Sequence, residues 1–375
     1  MQSIGRNYIN KAGNKLTTLR EIDSAIASSF DLRLTLNILM DQTLAHLGVD
    51  AVDIALYHPD LQSLSYLTGG GFHTASPSRP QLRIGEGLAS QVIIRQQTYH
   101  INDIQASPVT QKEPLIRLEG FISYIGIPLI VKGQIKGVFE VFHRSSLSPT
   151  LDWMEFLHTL AGQAAIAIDN AQLFENLQQS NQELVQAYDT TLEGWARALE
   201  LRDRETEGHT RRVTELTLRL AKYMNIKDSE IVNIRRGVLL HDIGKMGVPD
   251  HILKKTGSLT PLEWNEMRQH PLYAYYLLSP IAYLRGALDI PYCHHEHWDG
   301  SGYPRGLKGE QIPLSARIFS VVDVWDALLS DRPYRKAWPR KKVIEYLKET
   351  SGTYLDPDIV AVFFRMIAED ESKTE

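Results

Sequence analysis

Between residues 31 and 47 apolar side chains recur at steps of three and four, with Leu32, Leu36, Leu39, Met40, Leu44 and Leu47 on one face of a predicted helix. Asp31 is placed to cap its first turn and Gly48 to end it. The pattern then becomes strand-like. Strands are predicted at 52–57, 64–68, 97–101, 124–131 and 136–142, separated by turn-forming runs such as Gly69-Gly70-Gly71 and Lys132-Gly133-Gln134. Gly85-Glu86-Gly87 opens a short helix through Ile94, and another helix begins at residue 151. Helix, strands, helix, strands, helix is the order of an α/β sensor-like domain built on an antiparallel sheet.

From 165 to 205 the chain has no proline and one glycine, Gly194, and is rich in Ala, Leu, Gln and Glu, which predicts one long helix or two that nearly join. Ile166, Leu173, Leu177, Leu184, Tyr188, Thr191 and Trp195 form a seam near the repeat of about 3.5 residues that a parallel coiled coil between two protomers uses. The alternative is an amphipathic helix packed on its own domains, because the seam is short and interrupted by Gln and Asn. Beyond residue 190 strand signals nearly vanish. Val213, Leu216 and Leu220 form an apolar stripe, Thr260-Pro261-Leu262-Glu263 is a capping box with proline at the first helical position, and Val238-Leu239-Leu240 places a buried turn directly before His241. The second half is predicted to be all-α.

A chain of 375 residues is long for one core and fits two domains with a connector. With 43% hydrophobic and 23% charged residues its composition is that of an ordinary globular protein. The net charge of -5 speaks against a broad nucleic-acid face but leaves room for a small anionic nucleotide in a locally positive pocket. Cys293 is the only cysteine, so no intramolecular disulfide forms, in keeping with a reducing compartment. The N-terminal stretch lacks the apolar core of a signal peptide, and no apolar run approaches the roughly 20 residues of a membrane helix. A cytoplasmic protein, with neither membrane nor nucleic acid as partner, is the expectation.

The candidate chemistry lies in the second half. Glu205 and His209 stand four residues apart, one turn on a common helix face; alone they read as a surface pair. His241-Asp242 follows an apolar turn, where an unpaired charge is costly unless a metal or hydrogen bond satisfies it. Asp323 likewise follows an apolar run, with a buried helix cap as its alternative. His270 and the pair His294-His295 complete five imidazoles and three carboxylates without a thiolate, more than one metal ion needs and suited to two or three. Such N/O ligation favours iron or manganese over structural zinc, although zinc, nickel and cobalt also accept imidazole and carboxylate. Adjacent helical residues point about 100° apart, so His294 and His295 are expected to serve different ions. Lys245 is placed to offer a fixed positive charge to a phosphate oxygen, and Arg332 and Arg335 suit bidentate contacts to phosphate or a guanine edge, although each could be a surface charge. Cys293 reads as a small buried residue, with sensitivity to oxidation as a second reading.

His241-Asp242 with Gly244-Lys245, His294-His295-Glu296, Asp299-Gly300, Gly302-Tyr303-Pro304 and Arg332-Pro333-Tyr334-Arg335 resemble the HD-GYP family of the HD superfamily, metal-dependent phosphohydrolases that hydrolyse cyclic di-GMP. The resemblance covers residues 190 to 370. It implies metal ligation by Glu205, His209, His241, Asp242, His270, His294, His295 and Asp323, with Asp242 bridging and Glu205 marking a third ion. It also adds Asp326 as a contact to the nucleotide base, and makes the Gly302-Tyr303-Pro304 loop a pocket mouth or a surface for a diguanylate cyclase or other signalling protein. Ala274 departs from the glycine that members often carry near this point, removing no ligand. In the first half, Gly85-Glu86-Gly87-Leu88-Ala89, Ile125-Gly126-Ile127-Pro128-Leu129 and Gly137-Val138-Phe139-Glu140-Val141 resemble a GAF domain; no ligand follows, and thiol-linked bilin is impossible without a cysteine there.

The expected protein is therefore a multidomain α+β chain: a GAF-like α/β sensor domain at 17–170, a connecting coiled-coil helix at 171–197, and an all-α HD-type domain at 198–371. Its expected activity is hydrolysis of cyclic di-GMP to pGpG and GMP with two or three divalent ions, iron first and manganese second, with Asp242 and Lys245 at the chemistry. The readings that compete are a phosphodiesterase for another cyclic dinucleotide, cyclic GMP-AMP, and a cyclic di-GMP receptor that binds without turnover.

Overall fold

The computed structural model describes residues 31–74, 81–107, 114–203, 208–331 and 336–372. The chain divides into two compact units, with the break between Asn181 and Gln182.

In the first unit the helix Leu32–Leu47 starts where Asp31 accepts a hydrogen bond from the Leu34 amide at 3.2 Å and stops at Gly48, whose φ of 62° lies in the left-handed region. Six strands follow: β1 Ala51–His58, β2 Ser63–Gly70, β3 Leu82–Arg83, β4 Tyr99–Ile101, β5 Ser123–Val131 and β6 Gln134–His143. They form one antiparallel sheet in the order β3-β2-β1-β6-β5-β4. Alternation along the strands divides the core in two. Val52, Ile54, Ile127, Phe139 and Val141 pack with the first helix and with Leu157, Leu160 and Ala164. Ala51, Ala55, Tyr124, Val138 and Phe142 pack with Leu88 and Val92 of the helix Gly87–Arg95. β3 and the helix Pro114–Leu118 escape the sequence reading, being only two and five residues long and so too short to show a period.

One buried carboxylate fastens the loops at the edge of this unit. Glu119 accepts hydrogen bonds from the His73 amide at 2.9 Å, the Thr74 amide at 2.8 Å, the Thr74 hydroxyl at 2.6 Å and the Arg144 guanidinium at 2.7 Å. Burial alone would raise its pKa, but these donors outweigh burial and hold it at about 2.

The connector forms a single helix, Leu151–Asp203, of 53 residues. Leu173, Leu177 and Leu184 on its seam are 51%, 68% and 51% exposed, whereas Leu192, Ala196 and Leu199 on its last turns are buried.

The second unit is helical, built chiefly on His209–Tyr223, Asp228–Leu239, His270–Leu278, Leu314–Leu329, Arg340–Thr350 and Pro357–Ser372. Their apolar stripes meet in a core that includes Val213, Leu220, Ile234, Val238, Phe319, Val322 and Phe363. Thr260 and Glu263 form both bonds of the capping box ahead of the helix Pro261–Met267.

Candidate metal centre

Four helix ends and one helix middle bring the ligand-type side chains together. His209 is the first residue of its helix, after Gly208 with φ 76°. His241 and Asp242 follow the helix Asp228–Leu239 and lead into a tight turn, Ile243–Gly247. His270 opens the helix His270–Leu278, His294 and His295 follow the short helix Asp289–Cys293, and Asp323 lies within Leu314–Leu329. Gly244 makes the close approach possible: a Cβ there would collide with the His270 carbonyl and come within 2.6 Å of the Ala274 amide nitrogen. Ala274 itself is fully buried in this packing.

Two groups result. Asp242, His270, His294 and His295 each offer a ligand atom within 4.8 Å of the others, and so do His209, His241 and Asp323. His294 and His295 thus fall in the same group, against the expectation of different ions. His294 keeps helical backbone angles, so the grouping comes from the approach of Asp242 and His270 on other elements to both rings.

Hydrogen bonds fix which ring nitrogen faces inward. The Nδ1 atoms of His241, His270 and His294 lie 2.8, 2.7 and 3.0 Å from the carbonyl oxygens of Val238, Met267 and Ile290. A carbonyl only accepts, so each Nδ1 carries the hydrogen and, in the neutral ring, Nε2 carries the lone pair. Nε2 of His270 and Nε2 of His294 then face each other at 3.3 Å. Two lone pairs at that distance repel, and a cation between them would satisfy both; the donor set fits divalent metal. His209 is set by a side chain instead: its Nδ1 is 2.7 Å from Asp326, and its Nε2 is 3.4 Å from Asp323.

Burial pushes His270, His294 and His295 below the ordinary imidazole range; neighbouring rings add to the effect, and His294 reaches about 3. His241 is also lowered by burial, yet Asp242 and Asp323 beside it outweigh that and raise it. Burial would raise both aspartates. Lys245 and His241 nevertheless hold Asp242 well below the usual carboxylate range, and the His209 hydrogen bond, with His241 nearby, takes Asp323 to about 2. The lowered imidazoles of His270, His294 and His295 and the ionised carboxylates are in the states in which such groups bind metal, and a cation in place of the proton on His241 would be held by the same aspartates.

Other expected residues stand differently. Asp326 is 8% exposed: its two oxygens meet His209 and, at 2.7 and 2.9 Å, two nitrogens of the Arg212 guanidinium. Lys245 Nζ lies 2.6 Å from Asp242 Oδ2 and 2.8 Å from Asp203 Oδ2. Glu205, Arg332 and Arg335 lie outside the described residues. Cys293 is 1% exposed, and burial, with Glu296 and Asp289 nearby, pushes its thiol up to about 12, as expected of a small buried residue. Glu296, which sequence reasoning left without a role, accepts the Arg305 and Leu307 amides at 2.7 and 2.8 Å and so pins the loop after the histidine pair. Within that loop the Tyr303 ring stacks on His295, with centroids 4.8 Å apart.

Comparison with known proteins names the two units. Residues 31–169 match the GAF domain family and residues 194–359 the HD domain family. The chain therefore carries an N-terminal GAF domain followed by an HD domain. Over 171 residues, 44% of this chain and 46% of the relative, it is 43% identical to a cyclic di-GMP phosphodiesterase of Thermotoga maritima. It is 42% identical to the cyclic di-GMP phosphodiesterase response regulator RpfG of Xanthomonas campestris, over 47% of each chain. Across 52% of this chain and 36% of the relative it is 37% identical to 3'3'-cGAMP-specific phosphodiesterase 2 of Vibrio cholerae. The chain thus spans between 36% and 47% of the length of these curated relatives.

Proposed function

We propose that the chain hydrolyses cyclic di-GMP to pGpG and onward to GMP at a centre of two or three divalent ions, iron first and manganese second. The observation that carries this reading is the position of Asp242: Oδ2 is 3.1 Å from Nε2 of His241, while Oδ1 is 3.4 and 3.8 Å from Nε2 of His270 and His294. One carboxylate is thereby shared between the two ligand groups. In this reading His209, His241 and Asp323 would hold one ion and His270, His294 and His295 another, Asp242 would serve both groups, and Glu205 would serve a third ion. Bound there, the ions would supply an activated water and neutralise charge on the attacking and leaving oxygens.

The chain's own side chains do the rest. Lys245, at the edge of Asp242, offers its ammonium to a non-bridging phosphate oxygen. Arg332 and Arg335 are assigned to phosphate or a guanine edge. Asp326 is assigned to orienting His209 through its hydrogen bond to Nδ1, beside the contact to the nucleotide base that the family resemblance implies. The likeness to cyclic di-GMP phosphodiesterases of two organisms supports the substrate, and the 3'3'-cGAMP-specific relative keeps cyclic GMP-AMP as the second reading.

The GAF domain is the regulator in this proposal, and the exposed seam Leu173, Leu177 and Leu184 supports a homodimer through the long helix. A diguanylate cyclase or another signalling protein on the Gly302-Tyr303-Pro304 loop would act close to His295, on which Tyr303 rests. A cytoplasmic location belongs to the same proposal, supported by the single cysteine, which fits a reducing compartment. No helix among the described residues is long and apolar enough to cross a membrane. Asp242→Ala tests the centre. It should remove metal and hydrolysis together while the GAF domain stays folded, and retained hydrolysis would mean that the ligands are misassigned.

A further inference from the structure

The last two residues of the 53-residue helix turn onto the segment that carries Asp242 and Lys245. Arg202 donates to the carbonyl oxygens of Lys245 and Val248, each at 2.8 Å, and to Asp250 at 2.9 Å. Asp203 accepts from Lys245 Nζ at 2.8 Å, and the same ammonium is 2.6 Å from Asp242. The Lys245 and Asp203 side chains are only 15% and 7% exposed, so water screens this contact less than it would a surface pair. Further up the helix, Asp189 and Glu193 grip Arg235 at 3.3 and 2.6 Å, and Asp189 grips Arg236 at 3.0 Å. Both arginines belong to the helix Asp228–Leu239, which leads directly to His241 and Asp242.

We infer that Arg202 and Asp203 are positioning residues for hydrolysis, through which the end of the long helix sets where the Lys245 ammonium stands. The inference rests on the proposed role of Lys245 at the phosphate. Arg202 fixes the backbone of the Lys245 turn, and Asp203 fixes the direction of its side chain. A lysine ammonium rides on a flexible four-carbon stem, so a single carboxylate restrains its distance but not its direction. Two carboxylates, one from the helix and one from the metal centre, restrain both. Asp203 touches neither substrate nor metal in this scheme. Its effect must therefore pass through Lys245 and disappear when Lys245 is absent, which a merely structural residue would not do. A shift of the helix end by a fraction of a turn would move the ammonium with it, giving the helix a direct handle on the reaction.

The test uses the full chain loaded with manganese, as wild type, Asp203→Asn, Asp203→Glu, Lys245→Ala and the double variant Asp203→Asn/Lys245→Ala. Asp203→Asn should lower kcat for cyclic di-GMP about 10-fold with metal per chain unchanged, and Asp203→Glu, which keeps the charge, should recover most of it. In the Lys245→Ala background the same change should alter the rate less than about 2-fold. Acylation of Lys245 by acetic anhydride, in which the free amine attacks and acetate leaves, should rise about 5-fold in Asp203→Asn relative to the other lysines on mass spectrometry, since one of the two carboxylates that hold the unreactive ammonium form is gone. An unchanged kcat, or a loss of equal size with and without Lys245, would overturn the inference. Should wild type turn over neither cyclic dinucleotide, the enzyme reading fails by itself; the hold of Asp203 on the Lys245 ammonium is then judged on acylation, supported by the rise and refuted by its absence.

Discussion

His209 is oriented from behind, by a carboxylate 117 residues further along the chain. Asp326 takes the Nδ1 hydrogen, Arg212 holds Asp326 by both arms, and Nε2 is left facing Asp323. Asp326→Ala should accordingly weaken metal binding by about 10–100-fold without removing a ligand, a range measurable by competition with a chelator. Unchanged affinity would show that His209 needs no such support. This arrangement was not legible in the sequence, where Asp326 is one more carboxylate on an amphipathic helix and its partner is fixed only by packing. The ligand types were legible, because buried turns before His241 and Asp323 demand satisfaction of a charge. The grouping of His294 with His295 was not, because it depends on the approach of Asp242 and His270 from other elements.

Local signals gave whole elements more readily than single contacts. Asp31, Gly48 and the Thr260-Glu263 box act where the caps were expected, since a cap is a contact between near neighbours in sequence. The approach of the Gly244 turn to the helix of His270 is invisible in sequence, because it joins two elements 26 residues apart. At the same scale lies the Glu119 tie between the loops of the GAF domain. Its folded pKa, about 2, is below the ordinary 4.5, so the unfolded chain binds the extra proton between these values. The tie is fully present above pH 4.5 and is lost as pH falls from there towards 2. Urea titrations of the GAF domain across that window should show falling stability in wild type and a flatter profile in Glu119→Gln. Parallel profiles would exclude Glu119 as the source. The seam of the long helix gives a second prediction: Leu177→Glu with Leu184→Glu should convert a dimer to a monomer in sedimentation velocity, whereas a wild-type monomer would dispose of the coiled coil.

For the whole molecule, a GAF domain and an HD domain share one uninterrupted helix, whose last turns are buried and whose leucine seam is exposed. Its continuity gives the proposed regulation a physical route, and its end reaches the lysine of the centre. All of this depends on the centre being catalytic. The decisive measurement is anaerobic incubation of the purified chain, loaded with ferrous iron or manganese, with cyclic di-GMP, following pGpG and GMP over time while counting metal per chain. Both products at two or three metals per chain are the predicted result. Nucleotide that binds to the fully metallated protein and stays uncleaved would contradict it.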